Sequence, residues 1–378
     1  MIGILGLGLM GKIIAKDLYK NQKDKVVYIV RDIKSIKELA KKYNAEIRYG
    51  DVNNRRSLIQ AFKGLSIVIH AVHHEYNINV MKACLKTNSH YIDLGGLYYY
   101  TKKQLKLNKE FKKKNLIAII GIGASPGITN VMAKYASKYF DRINDIQIKI
   151  GVSDFSTYKQ KSPLSSSYSI QTIIEEFSWK PVVFKNGRIL FTEPCSSHEE
   201  HNFSDPVGKK QLQYAIHSEI ATLPYTLNSK NVSFKISFDP EFANKIKELR
   251  ELGFLSEKEI SVKGIKFKPK NALLQVLKKL PGNIPQRIKQ SEIIRVIVYG
   301  VKDGKINSKV MDAKIDTTDE TIDKDTGVPP SIIVDMILND KITKRGVYPP
   351  ESVVPEVEFF NELAKRNILI YENNHRIN

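Results

Sequence analysis

Apolar residues near the amino terminus come in short runs separated by longer stretches with helical spacing. The run "IGIL" (2–5) is followed by "GLGLMG" and then by Met10, Ile13, Ile14 and Leu18 on one helical face, which predicts strand, turn and helix in succession. The same alternation continues through "KVVYIV", "IKSIKELAKKYN", "AEIRYGDV", "RRSLIQAFKG" and "LSIVIHAV". It then passes through "NINVMKACLKTN", "HYIDL", a lysine-rich helix after Thr101 and "LIAIIGIG". Strands alternating with helices imply parallel pairing, and six of them predict an α/β, doubly wound Rossmann sheet.

After the helical stretch "GITNVMAKYASKYF" the period changes to two, in "DIQIKIGVS", "PVVF", "RILFT", "NVSFKISF" and "IIRVIVYG". The turns "KNGR" (Asn186-Gly187) and "KDGK" (Asp303-Gly304) are hairpin signals. A second, α+β domain with a mostly antiparallel sheet is therefore expected. The tail beyond about residue 326 reads as helix, "GVYPPE" turn, helix and the last strand "ILIYE". The expected division is 1–124 for the Rossmann domain, 125–325 for the α+β domain and 326–378 for a carboxyl-terminal segment. A length of 378 residues accommodates two substantial cores.

Composition changes this picture little. A hydrophobic content of 42% and a charged content of 26% are ordinary for a globular chain, and no repeat or low-complexity tract is present. No secretory signal or apolar run of membrane-spanning length is visible, so the expectation is a cytoplasmic protein without a membrane partner. Cys84 and Cys195 are too few for a disulfide scaffold or a zinc cluster, and no metal is expected. The net charge of +20 comes mostly from lysines spread along stretches such as "TKKQLKLNKEFKKKN". Solvated helix faces account for it without nucleic acid, and the excess still favours anionic ligands, including phosphorylated cofactors.

Chemistry concentrates where strands end. Gly6, Gly8 and Gly11 form G-x-G-x-x-G between a strand and a helix, the context in which this motif cradles a dinucleotide pyrophosphate. At the end of the second strand Arg31 stands in register to meet the 2′-phosphate of NADP, while Asp32, 21 residues past Gly11, has the spacing for the ribose of NAD. His73 and His74 follow the fourth strand, near the nicotinamide half by topology. Asp93 in "YIDLGG" ends the fifth; it has the chemistry to bind a substrate amine or to cap the next turn. "GIGASPGITN" ends the sixth, and Ser125, Thr129 and Asn130 there suit a substrate carboxylate or carboxamide; an ordinary strand-to-helix turn would look the same. Farther on, "AIHSEIATLP" sets His217, Ser218 and Glu219 side by side in apolar surroundings, either a substrate pocket or a satisfied polar network.

With "GLGLMG", "YIDLGG", "GIGASPGITN" and "TGVPPSIIVDMILNDKITKRGVYPPE…FFNELAKRNI" in view, the chain resembles the saccharopine dehydrogenase family over nearly its whole length. The likeness is greatest to its shorter lysine 6-dehydrogenase-like members. The resemblance implies a homodimer whose tail packs against the first domain, and hydride transfer between NADP, or NAD, and a C–N bond of a lysine-like amino acid through an imine. It also implies that Gly6, Gly8, Leu9 and Met10 contact the pyrophosphate, Arg31 the adenosine phosphate, Asp51 the adenine, and Val72 and His73 the nicotinamide ribose. Asp93, His217 and Glu219 are the expected catalytic groups, converging on one cleft, with Ser125, Thr129, Asn130 and Ser218 on the substrate. Saccharopine reductases of the family look like "GLDPG" where this chain carries Ser125. Lysine 6-dehydrogenase-like members tend to carry a small apolar residue there and an acid where Arg31 stands. A carboxynorspermidine-type reductase and a non-catalytic NADP-binding regulator are the alternatives.

Overall fold

The computed structural model describes residues 1–164 and 169–378. Its first sheet holds the six expected strands, β1 (Ile2–Leu5), β2 (Val26–Val30), β3 (Glu46–Tyr49), β4 (Ile67–His70), β5 (His90–Asp93) and β6 (Ile117–Ile119). All pair in parallel, in the order β6-β5-β4-β1-β2-β3, with Ile2 opposite both Val26 and Ile67. The order reverses between β1 and β4, and that reversal opens the crevice in which such sheets bind nucleotides. β1 and β4 are buried at every position because helices cover both faces, which explains their continuous apolar runs.

The second sheet centres on three long strands, Arg142–Asp154, Lys289–Lys302 and Lys305–Thr318, the last two paired along their entire length. Both predicted hairpin turns are present, with Asn186, Gly187, Asp303 and Gly304 all at positive φ, as two-residue turns of this kind require. One pairing is not antiparallel: Asn231–Ile236 runs parallel to Arg142–Asp154, with Val232 opposite Ile146. Period-two patterning reports burial of one face and carries no information on strand direction. Helices Ile170–Ser178, Pro240–Glu251 and Pro269–Leu277 lie between strands of this domain and have no counterpart in the patterning read above.

The tail divides between the two sheets. Gly346–Tyr348 adds a seventh parallel strand beside β6, whereas Leu369–Glu372 joins the second sheet against Lys305–Thr318. Helix Lys324–Leu338 packs on the first helix, Leu9–Asn21, so closely that a Cβ on Gly327 would lie 2.6 Å from Ile13. No helix among the described residues is long and apolar enough to cross a membrane.

Candidate functional site at the carboxyl edge of the parallel sheet

The glycine turn after β1 has the shape that a dinucleotide needs. Gly6 has φ +92°, and a Cβ on Gly11 would lie 1.9 Å from the Gly6 carbonyl oxygen, so helix and strand approach as closely as backbones allow. A Cβ on Gly8 would meet nothing within 4 Å, leaving open space above the start of helix Leu9–Asn21. No side chain caps that helix start and no acid lies in its first turn, so its free N–H groups and positive dipole end suit a pyrophosphate. Leu9 is exposed and Met10 half-buried beside the turn.

Arg31 is exposed just past β2. The Asp32 carboxylate is drawn into the following turn, accepting from the Lys34 N–H at 3.0 Å and the Ser35 N–H at 3.4 Å. Asp51 similarly accepts from the Asn53 N–H at 2.9 Å. Val72 and His73 are half-buried beyond β4.

Asp93 is 1% exposed and accepts from the Gly121 N–H at 2.6 Å, the Tyr91 hydroxyl at 2.7 Å, the Gly95 N–H at 2.9 Å and the Gln104 amide. Burial pushes this carboxyl up, only partly offset by those donors. With one oxygen shared by Gly95 and Gly121, Asp93 staples the ends of β5 and β6 together. The geometry is that of the turn-capping alternative.

The loop after β6 folds on itself: the Gly123 N–H donates to the Pro126 carbonyl at 2.7 Å, and the Ile128 N–H to the Gly123 carbonyl at 2.9 Å. Gly127 has φ +135°, and a Cβ there would lie 2.0 Å from the Gly123 oxygen, so only glycine fits. Asn130 spends its amide within the fold, accepting from the Gly127 N–H at 3.0 Å and donating to Glu351 Oε2 at 2.8 Å.

Ser125 and Thr129 instead turn to the second domain. Glu219 is fully buried; its Oε1 accepts from the Ser125 hydroxyl at 2.5 Å and the Thr129 hydroxyl at 2.8 Å, and its Oε2 pairs with His217 Nδ1. The His217 ring lies flat on Phe234, centroids 3.8 Å apart and planes within 8°. Ser218 accepts a long hydrogen bond, 3.4 Å, from the Gly96 N–H beyond β5. His217, Ser218 and Glu219 thus dock onto the loops after β5 and β6. Burial alone would discharge both members of the pair, but their mutual charge and hydrogen bond prevail: His217 is held above its ordinary value and Glu219 below.

A second cluster spans the domains. His74 Nε2 is 2.9 Å and His73 Nε2 3.5 Å from Glu175 Oε2, on helix Ile170–Ser178. The next residue, Glu176, is also buried, and its charge helps hold the His217 proton. Glu175, Glu176, Glu351 and Phe234 were not anticipated. Among them only Glu175-Glu176 carried a usable signal, two adjacent acids within the apolar stretch "TIIEEF".

A parallel sheet of this order, its glycine turn at a helix start and a polar cluster at its carboxyl edge define an NAD(P)-dependent oxidoreductase of Rossmann type. Residues 2–119 match the saccharopine dehydrogenase NADP binding domain and residues 123–369 the saccharopine dehydrogenase C-terminal domain. The chain belongs to the saccharopine dehydrogenase family. It is 24% identical over 356 residues to a carboxynorspermidine synthase of Vibrio cholerae, covering 88% of this chain and 84% of that one. It is also 24% identical over 321 residues to a carboxyaminopropylagmatine dehydrogenase of Synechocystis sp., covering 81% and 79%. Among solved structures, apo saccharopine dehydrogenase (L-Glu forming) from Saccharomyces cerevisiae superimposes with a TM-score of 0.75 at 15% identity, covering 100% of this chain and 99% of that one. The homospermidine synthase of Legionella pneumophila in complex with NAD gives 0.71 at 13% identity, covering 99% and 91%. These two share the fold.

Proposed function

We propose that the protein is an NADP-dependent dehydrogenase acting on the secondary amine of a carboxyalkyl diamine. The observation that carries this reading is the buried Glu219–His217 pair, held by Ser125 and Thr129 at the edge where the glycine turn receives the dinucleotide. The carboxynorspermidine synthase and the carboxyaminopropylagmatine dehydrogenase that match over most of the chain are named for carboxylated amines of this kind. That favours the diamine over the lysine-like substrate which the sequence resemblance suggests.

Gly6, Gly8 and Gly11 would hold the pyrophosphate of the dinucleotide, whose nicotinamide would supply a two-electron acceptor or donor of hydride. In the oxidative direction the substrate carbon bearing the nitrogen would lose its C–H hydrogen as hydride while the nitrogen loses a proton, giving a C=N bond whose hydrolysis releases an aldehyde and an amine. His217 is the group suited to carry that proton, with Glu219 fixing its ring and charge through Nδ1. Ser125 and Thr129 hold Glu219 and reach substrate only through it. Asp93 and Asn130 are read as positioning residues, because their polar atoms are engaged within the two loops. Glu75, Glu175, Glu176 and Glu219 gather around this edge of a protein whose net charge is +20, an arrangement suited to a cationic amine. Arg31, exposed while Asp32 is occupied by its own turn, favours NADP over NAD.

The test is a turnover assay with a carboxyalkyl diamine, lysine and saccharopine, each with NADP and NAD. We expect reduction of NADP to depend on the carboxyalkyl diamine and to release an aldehyde and a diamine. Turnover of lysine or saccharopine alone would replace the substrate assignment, and tight NADPH binding without turnover of any amine would make the protein a cofactor-binding regulator.

A further inference from the structure

His73, His74 and Glu175 take no part in the proton transfer proposed above, and Glu175 adds only its charge to that edge. One potential ligand atom from each of His73, His74 and Glu175 lies within 4.8 Å of the other two. The two rings lie against each other, with centroids 3.9 Å apart and planes tilted by 36°. His74 and Glu175 are 7% and 3% exposed, yet His73 Nε2, His74 Nε2 and Glu175 Oε2 make no hydrogen bond, despite separations of 2.9 and 3.5 Å. Three potential ligand atoms are thus gathered in a buried place with no other partner. Their spacing suits a shared centre, because a tetrahedral ion with bonds of about 2.0–2.1 Å sets its donors about 3.4 Å apart.

We propose that His73, His74 and Glu175 bind one divalent ion of the zinc class, joining the loop after β4 to helix Ile170–Ser178 across the cleft. Two imidazoles and a carboxylate form a borderline donor set suited to zinc, with a fourth position left for water. Charge balances at the site. Glu75 Oε1 lies 3.5 Å from His73 Nδ1, and Lys270 lies 2.5 Å from Glu257 and 3.7 Å from the other oxygen of Glu175. Three carboxylates against one ammonium leave two negative charges, matching a divalent ion. Glu75 also stands where a second carboxylate orients a metal-bound imidazole through its far nitrogen. The Glu75 N–H and the Gln171 amide share that same nitrogen at 3.4 Å, so a purely hydrogen-bonded network is the competing arrangement.

The two arrangements differ in metal uptake, which is read independently of any substrate. Full-length, tag-free protein dialysed against a chelator is titrated with zinc and with cobalt(II). We expect one equivalent to bind, the intense visible bands of four-coordinate cobalt to appear, and X-ray absorption of the zinc-loaded protein to give two imidazoles and oxygen in the first shell. His74→Ala and Glu175→Gln each weaken uptake by at least about 100-fold, whereas His375→Ala, at an exposed position, leaves it unchanged. Absence of stoichiometric uptake, a first shell without imidazole, or equal uptake by the folded His74→Ala protein overturns the proposal. The absorption measurement on unmutated protein decides the matter even if the variants do not fold.

Discussion

Glu219 has no solvent contact, and its oxygens are divided between one imidazole and two hydroxyls. A buried carboxylate survives only when its acceptor sites are filled and an opposite charge stands close. Those conditions also fix the protonation of His217. Its raised value stabilises the fold below the ordinary 6.5 and fades as pH rises through the folded value; the lowered Glu219 contributes above 4.5 and fades as pH falls through its folded value. The pair is therefore strongest between these limits, with the proton on His217. Glu219→Gln keeps the shape and removes the charge, leaving burial to drive the proton off. The expected outcome for amine oxidation is a kcat lower by about 100- to 10,000-fold, an acidic limb of the kcat profile displaced to lower pH because His217 must be free to take the proton, and an unchanged Kd for NADPH. Unchanged kcat would remove the pair from the chemistry.

At the scale of elements, two glycines of similar appearance in sequence have opposite roles. Gly8 has an ordinary φ of −68° and open space where a side chain would go, whereas Gly127 has φ +135° and the Gly123 oxygen in the way. Gly8→Ala should therefore leave the urea midpoint unmoved and weaken NADPH binding, read by fluorescence titration. Gly127→Ala should cost about 2 kcal/mol of stability. Equal loss of stability in both would contradict this assignment. The distinction also marks how far the sequence was legible. The glycine motif, the six strands and the two hairpin turns depend on neighbours a few residues away, so periodicity and turn chemistry reveal them. The partnership of Ser125 with Glu219 joins residues 94 apart, and that of Asn130 with Glu351 joins residues 221 apart. Each partner is visible as polar, but which atoms meet is set by how the domains dock. The same limit applies to Asp93: the motif "YIDLGG" offered ligand and cap equally, and only the positions of Gly121 and Gln104 separate them.

At the scale of the whole molecule, the tail binds the two sheets into one body. It adds one strand to the first sheet and two to the second, and before the latter Arg366 reaches Asp17 on the helix that opens at the glycine turn, with Nε 3.0 Å from both carboxylate oxygens. Both side chains are about nine-tenths buried, at 8% and 10% exposure. Desolvating two charges offsets most of their attraction, so the intact pair adds little net stability, but removing one partner leaves the other buried without its counter-charge. The Asn21 amide, 3.1 Å from Asp17, would relieve part of that penalty. Arg366→Met should therefore cost about 2–3 kcal/mol, and adding Asp17→Leu should restore much of it, since the buried Asp17 charge is then gone and Glu362, which also loses Arg366, is part-exposed and keeps Lys365. Because the tail is built into both sheets, the loss should appear as one cooperative transition displaced to lower denaturant. A biphasic curve would mean that the two lobes unfold separately, and additive losses in the double variant would mean that Asp17 and Arg366 are not energetically coupled.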